Sequence, residues 1–278
     1  MLIYSKPGRV TWPAAMVVWG PGFVTDPHSH HCVQLVMALA GSLRIRRDAE
    51  QRWRRGGAAW IRPDAPHQVD AREGPVLIAF IEAESELGAA LLETIRGDIA
   101  VVNPNDVARW RAAIGPAPTK IVVEQWLREY LLHNRRPVTL DPRIRRVMTH
   151  IRSHLGAGED LSLKTLADVA TMSPSRLMHT FTSALGVPIR PYVRWLRIQR
   201  AACDLMKGAT TTRAAYQAGF ADAAHMTRTF RDMLGTTPTD LSLRKRAAAG
   251  VSIESEDRES ARTTEGTRWT PARPVGVV

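Results

Sequence analysis

LSLKTLADVATMSPSRLMHTFTSALGVP, residues 161–188, holds two short helical patterns on either side of a tight break. Leu163, Leu166, Ala167 and Ala170 recur at helical spacing, Thr171-Met172-Ser173-Pro174 interrupts them, and Leu177, Phe181 and Leu185 resume the period. The break is also a helix start. Ser173 can accept from the orphan amides of the next turn, and Pro174 suits the first helical position, where no N–H is needed. A second copy follows: Ala214, Ala215 and Ala218 lead into Gly219-Phe220, and Asp222 can cap a helix that turns Met226, Phe230 and Leu234 inward. Each copy is expected to fold as a helix-turn-helix, whose second helix enters the major groove and reads bases from its N-terminal half. The candidate DNA contacts are Ser173, Ser175, Arg176 and His179 in the first copy and Asp222, Ala223, Ala224, His225, Thr227 and Arg228 in the second.

Outward from these motifs, Tyr192, Leu196, Gln199, Ala202, Cys203 and Met206 form one stripe along Pro188–Lys207, the pattern of a single connecting helix. A rigid connector would set the two reading helices about 34 Å apart, which brings them to successive major grooves. Ile144, Val147, Met148, Ile151 and Leu155 predict a further helix ahead of the first copy. The alternative is an all-helical module that binds protein or nothing, and charge argues against it. Residues 141–247 carry 17 Lys and Arg against 8 Asp and Glu, whereas 1–140 carry 17 against 14 and 248–278 carry 4 against 5. The positive excess coincides with the paired motifs, as phosphate contacts require.

The stretch LSLKTLADVATMSPSRLMHTFTSALGVPIRPYVRWLRIQRAACDLM (161–206), followed by AAYQAGFADAAHMTRTFRDMLGTTPTDL (214–241), resembles the DNA-binding domain of the AraC/XylS family of transcriptional regulators. The second copy carries the family's Gly-Phe, His, Arg, Phe, Leu-Gly and Pro landmarks in order. The chain departs from the pattern at Thr171 in the first turn, where the family has Gly, at Ala214, where it has a branched apolar residue, and at Ala223 and Ala224, where it has polar groups. An alanine can reach only a thymine methyl. The resemblance implies sequence-specific binding to duplex DNA under control of a small-molecule effector, with RNA polymerase as a further candidate partner.

From Met1 to about Glu82 the period shortens to two and turn residues become dense, as in an all-β unit. Ala15–Trp19, Val33–Ala40, Ser42–Arg47, Ala58–Ile61 and Val76–Ile81 are the candidate strands. Among them the order Gly22, His28-Ser29-His30, Gln34, Gly41 resembles the first motif of the cupin barrel, with Gln34 in place of its Glu. GGAAWIRPDAPHQV (56–69) resembles the second motif, with His67 as its histidine and Arg62 where proline is usual. The expected fold is therefore α+β: an N-terminal cupin-like β-barrel and an all-α DNA-binding domain with two helix-turn-helix motifs. The cupin likeness implies a divalent ion held by His28, His30, His67 and Gln34. Three imidazoles would suit zinc, nickel, iron or copper. The same side chains could instead line an effector pocket enclosed by Trp19, Val36 and Trp60. A metal-dependent cupin enzyme, such as a dioxygenase, is the competing function, but the residues show neither a carboxylate to ligate the metal nor a substrate base. His31 alternates outward and is expected at the surface.

Leu87, Leu91, Leu92 and Ile95, then Val123, Trp126, Leu127, Tyr130 and Leu131, mark two amphipathic helices for packing on the barrel or for pairing with a second copy as a homodimer. The expected units are a sensor at 1–83, a helical packing segment and linker at 84–136, the DNA-binding domain at 141–243 and a charged, disordered tail at 244–278. With 278 residues, 44% hydrophobic and 23% charged, the chain suits two buried cores. No apolar run nears the roughly 18 residues of a membrane span, and the N-terminus lacks a signal-peptide layout, so a cytoplasmic location is expected. Cys32 and Cys203 fall in different units and suggest no disulfide framework.

Overall fold

The computed structural model describes residues 2–4, 15–48, 52–116, 118–131, 140–156 and 158–241. The linker expected around 134–137 and the tail from 244 lie outside them. The N-terminal half contains β1 (Leu2–Tyr4), β2 (Ala15–Gly20), β3 (Cys32–Ala38), β4 (Leu43–Arg46), β5 (Arg54–Gly56), β6 (Ala58–Ile61), β7 (Gln68–Asp70), β8 (Val76–Glu82) and β9 (Ile99–Val101). These strands make a six-stranded antiparallel sheet in the order β1-β2-β8-β3-β6-β9 and a second sheet in the order β5-β4-β7. Isolated bridges Val24–Asp70 and His28–His67 pair the connection between β2 and β3 with β7 and the residue before it, so the described strands form a double-sheet roll instead of one closed ladder.

Every residue of β3 and β8 is buried, because both faces of the large sheet are covered. Val36, Ile78 and Phe80 face inward with Leu43, Ile45 and Val69 of the small sheet. Val33, Leu35, Leu77 and Ala79 face outward under α1 (Glu86–Thr94), α2 (Pro104–Ile114) and α3 (Lys120–Trp126), which bring Leu87, Val107, Trp110, Val123 and Trp126 onto them. Both expected amphipathic stripes thus pack on the sheet. Strand alternation also corrects two interior candidates: Trp19 and Trp60 belong to the outer, helix-covered face, where Trp60 meets Trp110 edge to face at 6.3 Å, and only Val36 points inward. Strands β1, β5, β7 and β9 were not foreseen. With three residues each they are too short to show a period, and β9 pairs with β6 from beyond residue 83, so the sheet outlasts its expected boundary.

The C-terminal half is helical: α4 (Pro142–Ser153), α5 (Leu163–Ala170), α6 (Pro174–Leu185), α7 (Ile189–Met206), α8 (Thr211–Gln217) and α9 (Ala223–Leu234). Ile144, Val147 and Ile151 of α4 pack with Leu166, Leu177, Phe181, Tyr192 and Leu196, closing the first helix-turn-helix on one side of α7. The other side of α7, Trp195, Ile198, Ala201 and Leu205, joins Ala214, Ala218, Met226 and Phe230 of the second copy. That second core is continuous with the interior of the double-sheet roll. The two halves therefore share one core.

Candidate functional site: paired reading helices and a histidine pocket

Each reading helix starts at the residue expected to cap it. Ser173 Oγ accepts from the Arg176 amide (3.3 Å), with Pro174 in the first turn, and Asp222 Oδ1 accepts from the His225 amide (2.6 Å). Ser173 and Asp222 thus serve the helix ends directly. On α6, Leu177, Phe181 and Leu185 are buried while Ser175, Arg176 and His179 are exposed together, with Met178 beside them at 45% exposure. On α9, Met226, Phe230 and Leu234 are buried, and Ala224 and Arg228 are exposed. His225 sets its ring edge-on against Phe220 (5.3 Å), and the Thr227 hydroxyl donates to the Ala223 carbonyl (2.8 Å), which leaves that hydroxyl only an acceptor role toward a base. The second copy therefore offers fewer free donors than the first.

Inside the roll, His28, His30 and His67 are all buried, with ligand atoms within 4.8 Å of one another. Local backbone orients two of the rings: His28 Nδ1–H donates to the Asp26 carbonyl (2.8 Å) and His67 Nδ1–H to the Ala65 carbonyl (2.9 Å). Both Nε2 atoms then carry lone pairs, and His67 Nε2 is buried without a hydrogen-bond partner. His30 differs. Its Nε2–H donates to Gln34 Oε1 (2.8 Å), and its Nδ1 accepts from the Cys32 thiol (3.0 Å), a thiol that burial keeps protonated. Burial, reinforced by the neighbouring imidazoles, pulls each of the three histidines down to about 3, so all are neutral at physiological pH. The donor set fits a divalent ion, with the orphaned His67 nitrogen as the clearest sign. To ligate, His30 releases one partner: Cys32 if it binds through Nδ1, or Gln34, with its proton moved to Nδ1, if it binds through Nε2. The pocket opens into a cavity of about 1050 Å³, between Met16, Val18 and Phe80 on one side and Ala202, Met206 and Leu234 on the other.

A family profile described as "Helix-turn-helix domain" matches residues 166–244. An HTH-type transcriptional regulator of Staphylococcus aureus is 35% identical over 107 residues, which is 38% of this chain and 14% of that protein. The similarity to these relatives thus takes in a small part of their length. Among solved structures, apo ToxT of Vibrio cholerae superposes with a TM-score of 0.52 at 10% identity, covering 85% of this chain and 99% of that one. ToxT with an unsaturated fatty acid bound gives 0.51 at 11% identity, covering 86% and 98%. The C-terminal unit is an AraC-type helix-turn-helix domain. ToxT shares the whole layout, a sheet-rich N-terminal region followed by that domain.

The AraC-type domain docks on the roll through polar contacts as well as apolar ones. Arg152 of α4 pairs with Glu82 at the end of β8 and donates to the Tyr192 hydroxyl (3.0 Å). Trp195 lies 5.7 Å from the His30 ring and 5.6 Å from Phe80. His31, expected at the surface, is in the seam with its side chain 11% exposed. It donates to Asp64 (2.7 Å) and to the Leu185 carbonyl (3.2 Å). Burial works against a charge there, but these two acceptors outweigh it and raise the His31 pKa. Neither Arg152 nor Trp195 was singled out from sequence. A second helical stripe on α7, Trp195-Ile198-Ala201/Ala202-Leu205, was the available signal for that docking face.

Proposed function

We propose that this chain is a DNA-binding transcriptional regulator in which the double-sheet roll senses a ligand and the AraC-type domain reads duplex DNA. One observation carries the reading: α6 and α9 present capped, exposed N-terminal halves in the basic part of the chain, while their other faces are buried around α7. Purified protein should retard a fragment of its own upstream DNA at moderate salt and prefer it over unrelated duplex. Equal affinity for both would reject sequence-specific reading, and a metal-dependent cupin enzyme would then be the competing account.

As part of the same proposal, His28, His30 and His67 hold a divalent ion, for which zinc, nickel, iron and copper are candidates. The buried His67 nitrogen supports this. Elemental analysis of untagged protein decides it: metal near one equivalent, lost in His67→Ala, is the expected result. Substoichiometric metal that does not rise on reconstitution assigns the pocket to an organic effector alone. The cavity of about 1050 Å³ and the fatty acid bound to ToxT support an apolar effector beside the histidines. A homodimer, contact with RNA polymerase and a cytoplasmic location complete the proposal. Among the described residues no helix is long and apolar enough to cross a membrane.

A further inference from the structure

We infer that the histidine pocket is a site shared by both halves of the chain, and that binding of a divalent ion to His28, His30 and His67 is communicated to both reading helices through residues Asp26–His31. This rests on the reading of the pocket as an ion site. The segment Asp26–His31 holds the C-terminal end of each reading helix. The Asp26 amide donates to the carbonyl of Gly235 (2.8 Å), which caps α9, and His31 Nε2 donates to the carbonyl of Leu185 (3.2 Å), the last residue of α6. Between these two anchors lie His28 and His30. Asp26 has two tasks, since its carbonyl also accepts from His28 Nδ1–H (2.8 Å).

No slack exists at the α9 anchor. A Cβ on Gly235 would stand 2.4 Å from the Asp26 oxygen and 2.6 Å from His28 Nδ1, so the helix cap lies directly against the candidate ligand's ring. On the other side Trp195 of α7 covers His30 at 5.7 Å, with its indole nitrogen buried and unpaired. Two nitrogens on one tetrahedral zinc are about 3.4 Å apart, whereas the pocket's ligand atoms spread over separations of up to 4.8 Å. Ligation therefore draws the three rings together, above all His28 and His30, whose centroids are farthest apart at 5.7 Å. A six-residue segment pinned at both ends cannot shift its middle without loading its anchors, and those anchors are the ends of α6 and α9. By linkage, DNA binding must change ion affinity by the same factor as the ion changes DNA affinity.

The test uses the metal-free full chain, Zn²⁺ as probe, and its upstream DNA fragment at fixed salt. Zn²⁺ should bind near one equivalent and change DNA affinity by at least fivefold, with the reciprocal change in Zn²⁺ affinity when DNA is present. Asp64→Asn loosens the His31 anchor and leaves the three imidazoles in place, so it should keep Zn²⁺ affinity within threefold. Gly235→Ala displaces the α9 anchor and also presses on the His28 ring, so the double variant should lose Zn²⁺ affinity and reduce the effect of Zn²⁺ on DNA to less than twofold. Asp64→Asn alone, an exposed change at a left-handed position (φ 60°) that Asn tolerates, guards against misfolding and should reduce the effect at least by half. Zn²⁺ binding without any change in DNA affinity overturns the coupling and leaves the ion site standing, as does an undiminished effect in the double variant. Absence of Zn²⁺ binding overturns both.

Discussion

Thr171 ends α5 at φ 55°, a left-handed conformation that a β-branched residue adopts at a penalty and glycine adopts freely. Its amide donates to the Asp168 carbonyl (3.0 Å), so the tight turn between α5 and α6 depends on that conformation. Thr171→Gly should therefore stabilise the chain by about 0.5–1 kcal/mol, the left-handed penalty less the greater entropy glycine loses on folding. Denaturant melts of both proteins check it, and a destabilised glycine variant would mean the threonine side chain contributes to the turn. Arg176 is the exposed cation of the first reading helix and makes no ion pair among the described residues. Arg176→Ala should weaken specific DNA binding by roughly 1–3 kcal/mol. Unchanged affinity by fluorescence anisotropy at fixed salt rejects that role. These residues were legible in the sequence because caps, turns and apolar spacing are local properties.

At the scale of an element, α9 reads as a backbone binder. Ala223 and Ala224 offer no hydrogen bonds, His225 rests on Phe220 and the Thr227 proton is taken by Ala223, which leaves Arg228 as the free cation in its N-terminal half. Arg228→Ala is expected to weaken binding alike on all sequences and to lower the salt slope by about one. Loss confined to a single base pair, found by competition with mutated fragments, would show direct readout instead. Helix α7 shows where pattern reading stopped. Its stripe through Tyr192, Leu196 and Gln199 was visible, yet Trp195, Ile198, Ala201 and Leu205 are buried as well, so the helix is covered nearly all round. Period alone marks one covered face, and the second depends on a partner far away in sequence.

Across the whole molecule, the seam between the halves gathers Glu82, Glu84, Arg152, Tyr192 and His31. Burial, with Glu82 beside it, pushes the Glu84 carboxyl up to about 8, while Arg152 and His31 act in the opposite sense. A carboxyl whose pKa is higher folded than unfolded holds its proton more tightly in the folded chain. Its contribution is intact below about 4.5 and is lost as pH rises through about 8. Above about pH 6.5 the three pocket histidines are neutral both folded and unfolded, so the thermal midpoint should fall between pH 7 and 8, and Glu84→Gln should flatten that slope. An identical slope in the variant would place the dependence on other groups. Arg152→Ala leaves Glu82 buried without its cation and should destabilise by about 3–5 kcal/mol, whereas a matched apolar pair at both positions should cost far less. Denaturation of the single and double variants separates the two.

The sequence by itself determined what local chemistry can determine. Capped helices at 173 and 222, the apolar faces of α6 and α9, the basic C-terminal half and the strands expected at Ala15–Trp19, Ala58–Ile61 and Val76–Ile81 all follow from spacing and side-chain type. The cupin resemblance around His28, His30 and His67 also implied their meeting in one pocket. Only the tertiary structure decided what covers that pocket. Trp195 and Gly235 reach it from more than 120 positions away in the chain, and His31 leaves its expected surface position because the end of α6 arrives over it. Such contacts leave no period in the sequence, since they arise when two independently patterned halves bury their remaining apolar faces against each other.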